Sequence, residues 1–344
     1  MTKITVNKRT NRRTFLARSA AVTGGALLTT SVAIRPSKAA LKKVNFITPW
    51  SYLIGFAPVL NAHSGGHFKR HGLEVTILGG KGSGMAVRQV LTDRVQFGRA
   101  ASLAMVKAVG NEGAELSAIG TILQQSPFYV VSSKKDPINS AKDMVGKVIG
   151  VTARGSGSEN TLDMILASAG IKPGMVRREV AGNGVGGFGL IEQGRIAAYV
   201  PSLGTVIRLR AASEDVVAWN TDKFITMPGQ VYLTSKKHMK RDPESCVQFL
   251  RAIKDSTTEL KSGSPAKLRD RMAKDFDILG IKDLDFTLKA MLAEMELWTA
   301  DSSPNILQND PKRWEAMRAG MAGAGLTKLV DAKVLYTNEF YDKI

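Results

Sequence analysis

The chain predicts an α/β fold, built as two doubly wound lobes with a helical tail, and three observations carry that prediction. Short strand-like apolar runs alternate with helix-period segments through two successive stretches. Beyond the second stretch the pattern becomes helical only. At 344 residues the chain is also longer than one ordinary core comfortably serves.

The first alternation opens with Val44-Asn45-Phe46-Ile47 as a strand ending at Thr48-Pro49-Trp50. A helical stretch around Pro58 to Phe68 follows, then a strand at 73–78, the glycine-rich turn 79–84 and a helix beginning at Met85. Val95-Gln96-Phe97-Gly98 reads as a third strand, Leu103 to Val109 as a helix and Leu116 to Leu123 as a fourth strand. Phe128 to Ser132 leads out of this unit. The second alternation runs from a strand at Lys147–Val151 through helix 158–169, strand 175–180, helix 187–193, strand 196–200, helix 203–212 and strand 215–219. Gln230 to Thr234 reads as a return strand, and the tail as helices at 243–261, 264–276, 284–297 and 311–322.

The expected division is therefore lobe one at 40–131 plus 233–344 and lobe two at 132–232, with crossing strands near 128–132 and 230–234. Two crossings make a clamshell. Ligands of open α/β sheets bind outside the carboxyl ends of the strands, near helix N-termini, so the loops facing each other across the cleft are the expected site.

Residues 1–39 stand apart from this pattern. They hold eight Lys or Arg and no acid, with Arg12-Arg13 followed by Phe15-Leu16 and a mildly apolar run from Ala20 to Ile34. The run ends at Ser37-Lys38-Ala39, small residues that suit a signal peptidase. This resembles a twin-arginine export signal, which implies a periplasmic destination. The run is shorter than the ~20 residues a membrane helix needs, and no later segment is long and apolar enough, so no membrane insertion is expected after the signal is removed.

Of the 48 Lys and Arg set against 30 Asp and Glu, eight belong to residues 1–39; the rest are scattered, and aromatics are only 6% of the chain. That argues against nucleic acid and for a surface that gathers anionic solutes. Cys246 is the single cysteine, so no intrachain disulfide is possible.

The expected ring of ligand contacts follows from the loop positions. Trp50, Ser51 and Tyr52 follow the first strand, where Trp50 either stacks on a planar ligand or packs near Phe56. Ala101-Ser102 follows the third strand at a helix start, as an anion seat or a plain N-cap. Gln125-Ser126 ends the fourth strand. Gly155-Ser156-Gly157-Ser158 opens a helix whose backbone amides and dipole favour a negative group. Asn183, Pro201 and Tyr232 complete the ring, with Met227 to Tyr232 expected at the hinge.

Two other motifs are set aside. Gly182-x-Gly184-x-x-Gly187 spells a dinucleotide fingerprint, but the next strand ends Tyr199-Val200-Pro201-Ser202 without the acid that would hold a ribose. His63, His67 and His71 fall four apart, yet Gly65-Gly66 interrupts the helix and no acid lies among them. They are expected to be solvated, with no metal bound.

Several stretches together resemble the periplasmic solute-binding family that serves thiamine-pyrimidine, aliphatic sulfonate, nitrate and taurine importers. They are Gly66 to Val75, Val95 to Gly98, Gln124 to Pro127, Asp136-Pro137-Ile138, Asp143 to Gly150, Gly170-Ile171 with Val176, and Leu335 to Phe340. The resemblance covers nearly all of residues 40–344. It implies a bilobal venus-flytrap fold of type II, no catalysis, no cofactor, and an ABC permease and ATPase as partners of a monomeric protein. The chain departs from the family pattern at His67 and at Gly194 to Ala198, which lacks the usual acid before the alanine. The same family includes eukaryotic pyrimidine synthases with a cysteine-rich, iron-linked motif, which a chain with one Cys lacks.

The expected ligand is a small organic anion of the sulfonate or aromatic carboxylate class. The alternatives are a pyrimidine-type thiamine precursor, an enzyme like the pyrimidine synthases, or a sensor subunit that binds the same ligand.

Overall fold

Among the residues described by the computed structural model, 40–344 apart from 213, 214 and 225, ten strands make two five-stranded sheets. The first sheet contains β1 (Lys42–Ile47), β2 (Leu73–Leu78), β3 (Phe97–Ala101) and β4 (Leu116–Leu123). The second contains β5 (Tyr129–Ser133), β6 (Val148–Val151), β7 (Arg177–Val180), β8 (Ala198–Val200) and β9 (Val216–Asn220), and β10 (Gln230–Ser235) returns to the first. The orders are β2-β1-β3-β10-β4 and β7-β6-β8-β5-β9. In each sheet the strand that arrives from the other lobe is antiparallel to its neighbours, β10 in one and β5 in the other.

Burial explains the strand sequences. Edge strand β2 alternates, with Leu73, Val75 and Ile77 buried and Glu74, Thr76 and Leu78 exposed, as expected of a strand covered on one face. All eight residues of β4 are buried, and it reads as a continuous small and apolar run. The core of the first lobe centres on Phe249, whose ring stacks on Phe97 at 4.6 Å and Phe46 at 5.7 Å and meets Tyr232 edge-on.

The third strand lies later than its pattern suggests, at Phe97–Ala101 rather than 95–98. It includes the charged Arg99, which is fully buried and compensated by partners. The helical stretch expected at 58–68 is broken: Ala57–Ser64 ends at Gly65, and Gly66, at φ +70°, turns the chain into His67–Arg70.

The tail reaches both lobes. Helix Pro243–Ser262 packs on the first, against Ala57–Ser64. Helix Leu284–Glu296 lies against both the turn Ile54–Phe56 and helix Leu203–Ala212 of the second lobe. The chain after it covers the outer edge of β4, where Thr121 exchanges backbone hydrogen bonds with Leu307 and Ala118 bonds Leu335 and Thr337. That pairing satisfies the free edge groups of β4.

Candidate ligand-binding cleft

A cavity of about 340 Å³ lies between the lobes, in the size range of small-ligand sites. Three helix starts converge on it. Ser83 opens helix Ser83–Leu91, Gly157 opens helix Gly157–Ser168, and Ser202, Gly204 and Thr205 lie at the start of helix Leu203–Ala212. The positive ends of these helix dipoles give the wall a positive bias. The aromatic part of the wall is Trp50, Phe56, Phe128 and Phe286.

Of the residues expected from sequence, Trp50, Ser156, Gly157 and Asn183 line this cavity. Asn183 is fixed by its neighbours: its side-chain oxygen accepts from the Ser202 N–H at 2.9 Å and its amide donates to Ser202 Oγ at 3.0 Å. Ser158 sits one layer behind, where its Oγ accepts from the Thr152 N–H at 2.8 Å and contacts Ser156 Oγ at 2.9 Å.

The others stand outside the lining, each with a partner or position that accounts for it. Ser51 is exposed, and Tyr52 donates its hydroxyl to Ile77 O and turns its ring edge to Phe276. The Ala101 N–H donates to Ser83 Oγ, and Ser102 donates its hydroxyl to Pro228 O. Gln125 donates to Thr299 O, and Ser126 Oγ accepts from Thr221. Gly155 is exposed at φ +66°, and Pro201 is buried with its carbonyl accepting from the Tyr129 N–H. Tyr232 lies two residues, about 7 Å, deeper along β10 than the lining residue Gln230, inside the Phe249 core.

The charged members of the wall come from parts of the sequence with no motif. Arg99 is buried behind it: Nε donates to Gln230 Oε1 at 2.6 Å, Nη1 to Gly55 O at 2.8 Å and Nη2 to Glu294 Oε1 at 3.1 Å. Burial raises the Glu294 carboxyl above its ordinary value, and Arg99 beside it pulls the other way. Arg208 lies 3.6 Å over the Phe286 ring and makes no ion pair or hydrogen bond among the described residues. Gly280, at φ +78°, lets the guanidinium approach, because a Cβ there would overlap it.

A family model described as NMT1/THI5 like matches residues 54–263, more than half of the chain. The chain belongs to the NMT1/THI5-like family. A curated relative, the 4-amino-5-hydroxymethyl-2-methylpyrimidine phosphate synthase of Schizosaccharomyces pombe, is 25% identical over 238 residues, 63% of this chain. The chain spans 65% of that relative's length. Among solved structures, a protein of Bordetella bronchiseptica RB50 has a TM-score of 0.71 at 21% identity, over 88% of this chain and 96% of the other. The alkanesulfonate-binding protein of Xanthomonas axonopodis pv. citri, bound to MOPS, has a TM-score of 0.66 at 13% identity, over 87% and 100%. The fold is thus the bilobal periplasmic-binding-protein fold.

Within this NMT1/THI5-like chain the glycine fingerprint has a packing role. A Cβ at Gly187 would lie 2.5 Å from the Tyr199 ring, whose hydroxyl donates to Gly184 O. The histidine reading requires correction. His67 is buried and bonded to Glu259 at 2.7 Å, His71 pairs with Asp255 at 2.7 Å, and His63 Nδ1 meets Val75 O at 3.0 Å. These partners lie 12 to 192 residues away in sequence, beyond the reach of a local pattern. The twin-arginine segment lies outside the described residues. Among the described residues no helix is long and apolar enough to cross a membrane.

Proposed function

We propose that this protein is the solute-binding component of an ABC importer and that it captures a small organic anion between its lobes. The observation that carries the reading is Arg208. It is a cavity-lining guanidinium with no carboxylate partner among the described residues, set where three helix starts converge. Trp50, Phe56 and Phe128 supply an apolar wall for a planar or partly apolar body, so an aromatic carboxylate or sulfonate fits both halves of the lining. Export through the Arg12-Arg13 segment would deliver the folded receptor to the periplasm, where a monomer would dock on a permease served by an ATPase.

Isothermal titration of the purified protein with benzoate, benzenesulfonate, taurine, nitrate and neutral benzyl alcohol tests the anion. At least one aromatic anion is expected to bind, and Arg208→Gln to weaken it at least tenfold. Binding by benzyl alcohol alone, or equal affinity in R208Q, would overturn it.

A second reading is favoured by the Schizosaccharomyces pombe relative, whose name is that of a pyrimidine phosphate synthase. In it the cleft holds a pyrimidine-type thiamine precursor. A pyrimidine that outcompetes every carboxylate and sulfonate would select this reading.

A further inference from the structure

Arg99 presents two of its nitrogens, Nε and Nη2, along one edge of its guanidinium, and each holds an oxygen of a different cavity-lining side chain. Nε takes Gln230 Oε1, which settles the orientation of that amide and leaves its donor, Nε2, with no partner among the described residues. Nη2 takes Glu294 Oε1 and leaves Oε2 likewise without one. The third nitrogen is tied to Gly55 O, and the Phe56 ring lies 4.8 Å from the guanidinium carbon, so Arg99 has little freedom to turn. One buried arginine therefore holds, on one edge, the oxygens of two lining side chains whose remaining polar atoms are a donor and an acceptor without partners among the described residues.

The opposite end of the same wall is Arg208. Phe286, on which it stacks, Ala290 and Glu294 all line the cavity at four-residue intervals on one face of helix Leu284–Glu296. Eight residues of helix separate Phe286 from Glu294 by about 12 Å. A ligand spanning the wall thus meets a cation at one end and a donor–acceptor pair at the other.

We propose that Gln230 and Glu294, oriented together by Arg99, form an edge that selects a ligand with a planar carboxamide-like group, an N–H beside an acceptor, at the end opposite its anion. The ligand N–H donates to Glu294 Oε2, and the ligand acceptor receives Gln230 Nε2–H. Primary amides and amino-substituted nitrogen heterocycles have this edge. The proposal rests on the cleft being the ligand site, and it separates from the anion reading because the edge can be probed with molecules that carry no anionic group.

Isothermal titration with 4-carbamoylbenzoate, its isostere 4-amidinobenzoate and benzoate tests it. The amide is expected to bind at least tenfold more tightly than benzoate. Gln230→Glu keeps the oxygen that Arg99 holds but replaces the free donor with an acceptor. The ratio of amidine to amide affinity should then rise at least tenfold, a change of preference that a merely structural role for Gln230 would not produce. Equal binding of amide and benzoate by the wild type, or an unchanged ratio in Q230E, would overturn the proposal. Should every anion fail, benzamide against benzamidinium gives the same comparison without charge at the Arg208 end. Binding of benzamide that Q230E shifts to benzamidinium then supports the edge while removing the anion. Binding by none of these probes overturns both.

Discussion

At His67 the hydrogen-bond partners determine the tautomer. Arg70 Nη2 lies 2.6 Å from Nδ1, and an arginine only donates, so Nδ1 accepts and Nε2 holds the ring proton. That proton goes to Glu259 Oε2, which also accepts from Arg271 at 2.6 Å and Asn61 at 3.0 Å. Arg271, with His67 and Asn61, brings the Glu259 carboxyl down to about 2 against the opposing effect of burial. A carboxyl lowered on folding adds stability above its ordinary value of 4.5, and that stability is lost as pH falls toward 2. Burial, aided by Arg70, lowers His67 below 6.5 even though the Glu259 hydrogen bond raises it, so its protonation also favours unfolding as pH falls. Glu259→Gln is therefore expected to cost about 1–2 kcal/mol at neutral pH, discounted because the carboxylate is partly in water. Melting curves from pH 7 to 3 should show the wild type converging on E259Q, and two parallel curves would refute the assignment.

At the level of elements, helix Gly157–Ser168 shows how the cleft wall is held. Ser156 Oγ accepts from the Glu159 N–H at 3.3 Å, and the Glu159 carboxylate accepts from the Gly155 N–H at 2.6 Å. This is close to a capping box, and it holds the first turn in place while leaving other N-terminal amides free. Ser156→Ala should cost about 1 kcal/mol in denaturant unfolding, with Ser156→Thr recovering most of it. An unchanged midpoint in S156A would show that the cap does not hold the turn. Elements of this kind were legible in the sequence. β2, β4 and helix Leu203–Ala212 coincide with their patterns, because each has a clean period, a fully apolar run or a turn signal at its ends. The charged part of the cleft was not, although polar Ser156 and Asn183 were. Arg99 sits in a strand whose small neighbours gave no sign of a charge, its partners Gln230 and Glu294 are 131 and 195 residues away, and Phe286 is far along the tail from Arg208. Local periodicity places strands and helix starts; it cannot report which distant side chains a crossover brings together.

Across the whole molecule, the lobes meet beside the cleft through a few contacts with no room for an added side chain. A Cβ at Gly157 would lie 2.7 Å from the Ala101 Cβ and 2.9 Å from Phe128 Cζ, and one at Gly84 would lie 2.9 Å from Gly155 O. Lys107, on helix Ser102–Glu112 of the first lobe, reaches Asn160 at 3.0 Å and Asp163 at 3.4 Å on the second. The tail adds Phe286 beneath Arg208, so the residue proposed to meet the anion also bridges the lobes. Ligand binding and lobe contact are then linked, since each favours the same position of Arg208. Gly157→Val would force Ala101 and Phe128 away, an overpacking cost of about 1–3 kcal/mol at the interface. Each lobe's own sheet is untouched by the substitution, so the cost falls on closure. Small-angle scattering should show a larger radius of gyration for G157V than for the wild type, and titration should show ligand affinity falling five- to a hundredfold. A variant as compact as the wild type, with unchanged affinity, would mean that the lobes do not need this close approach to hold the ligand.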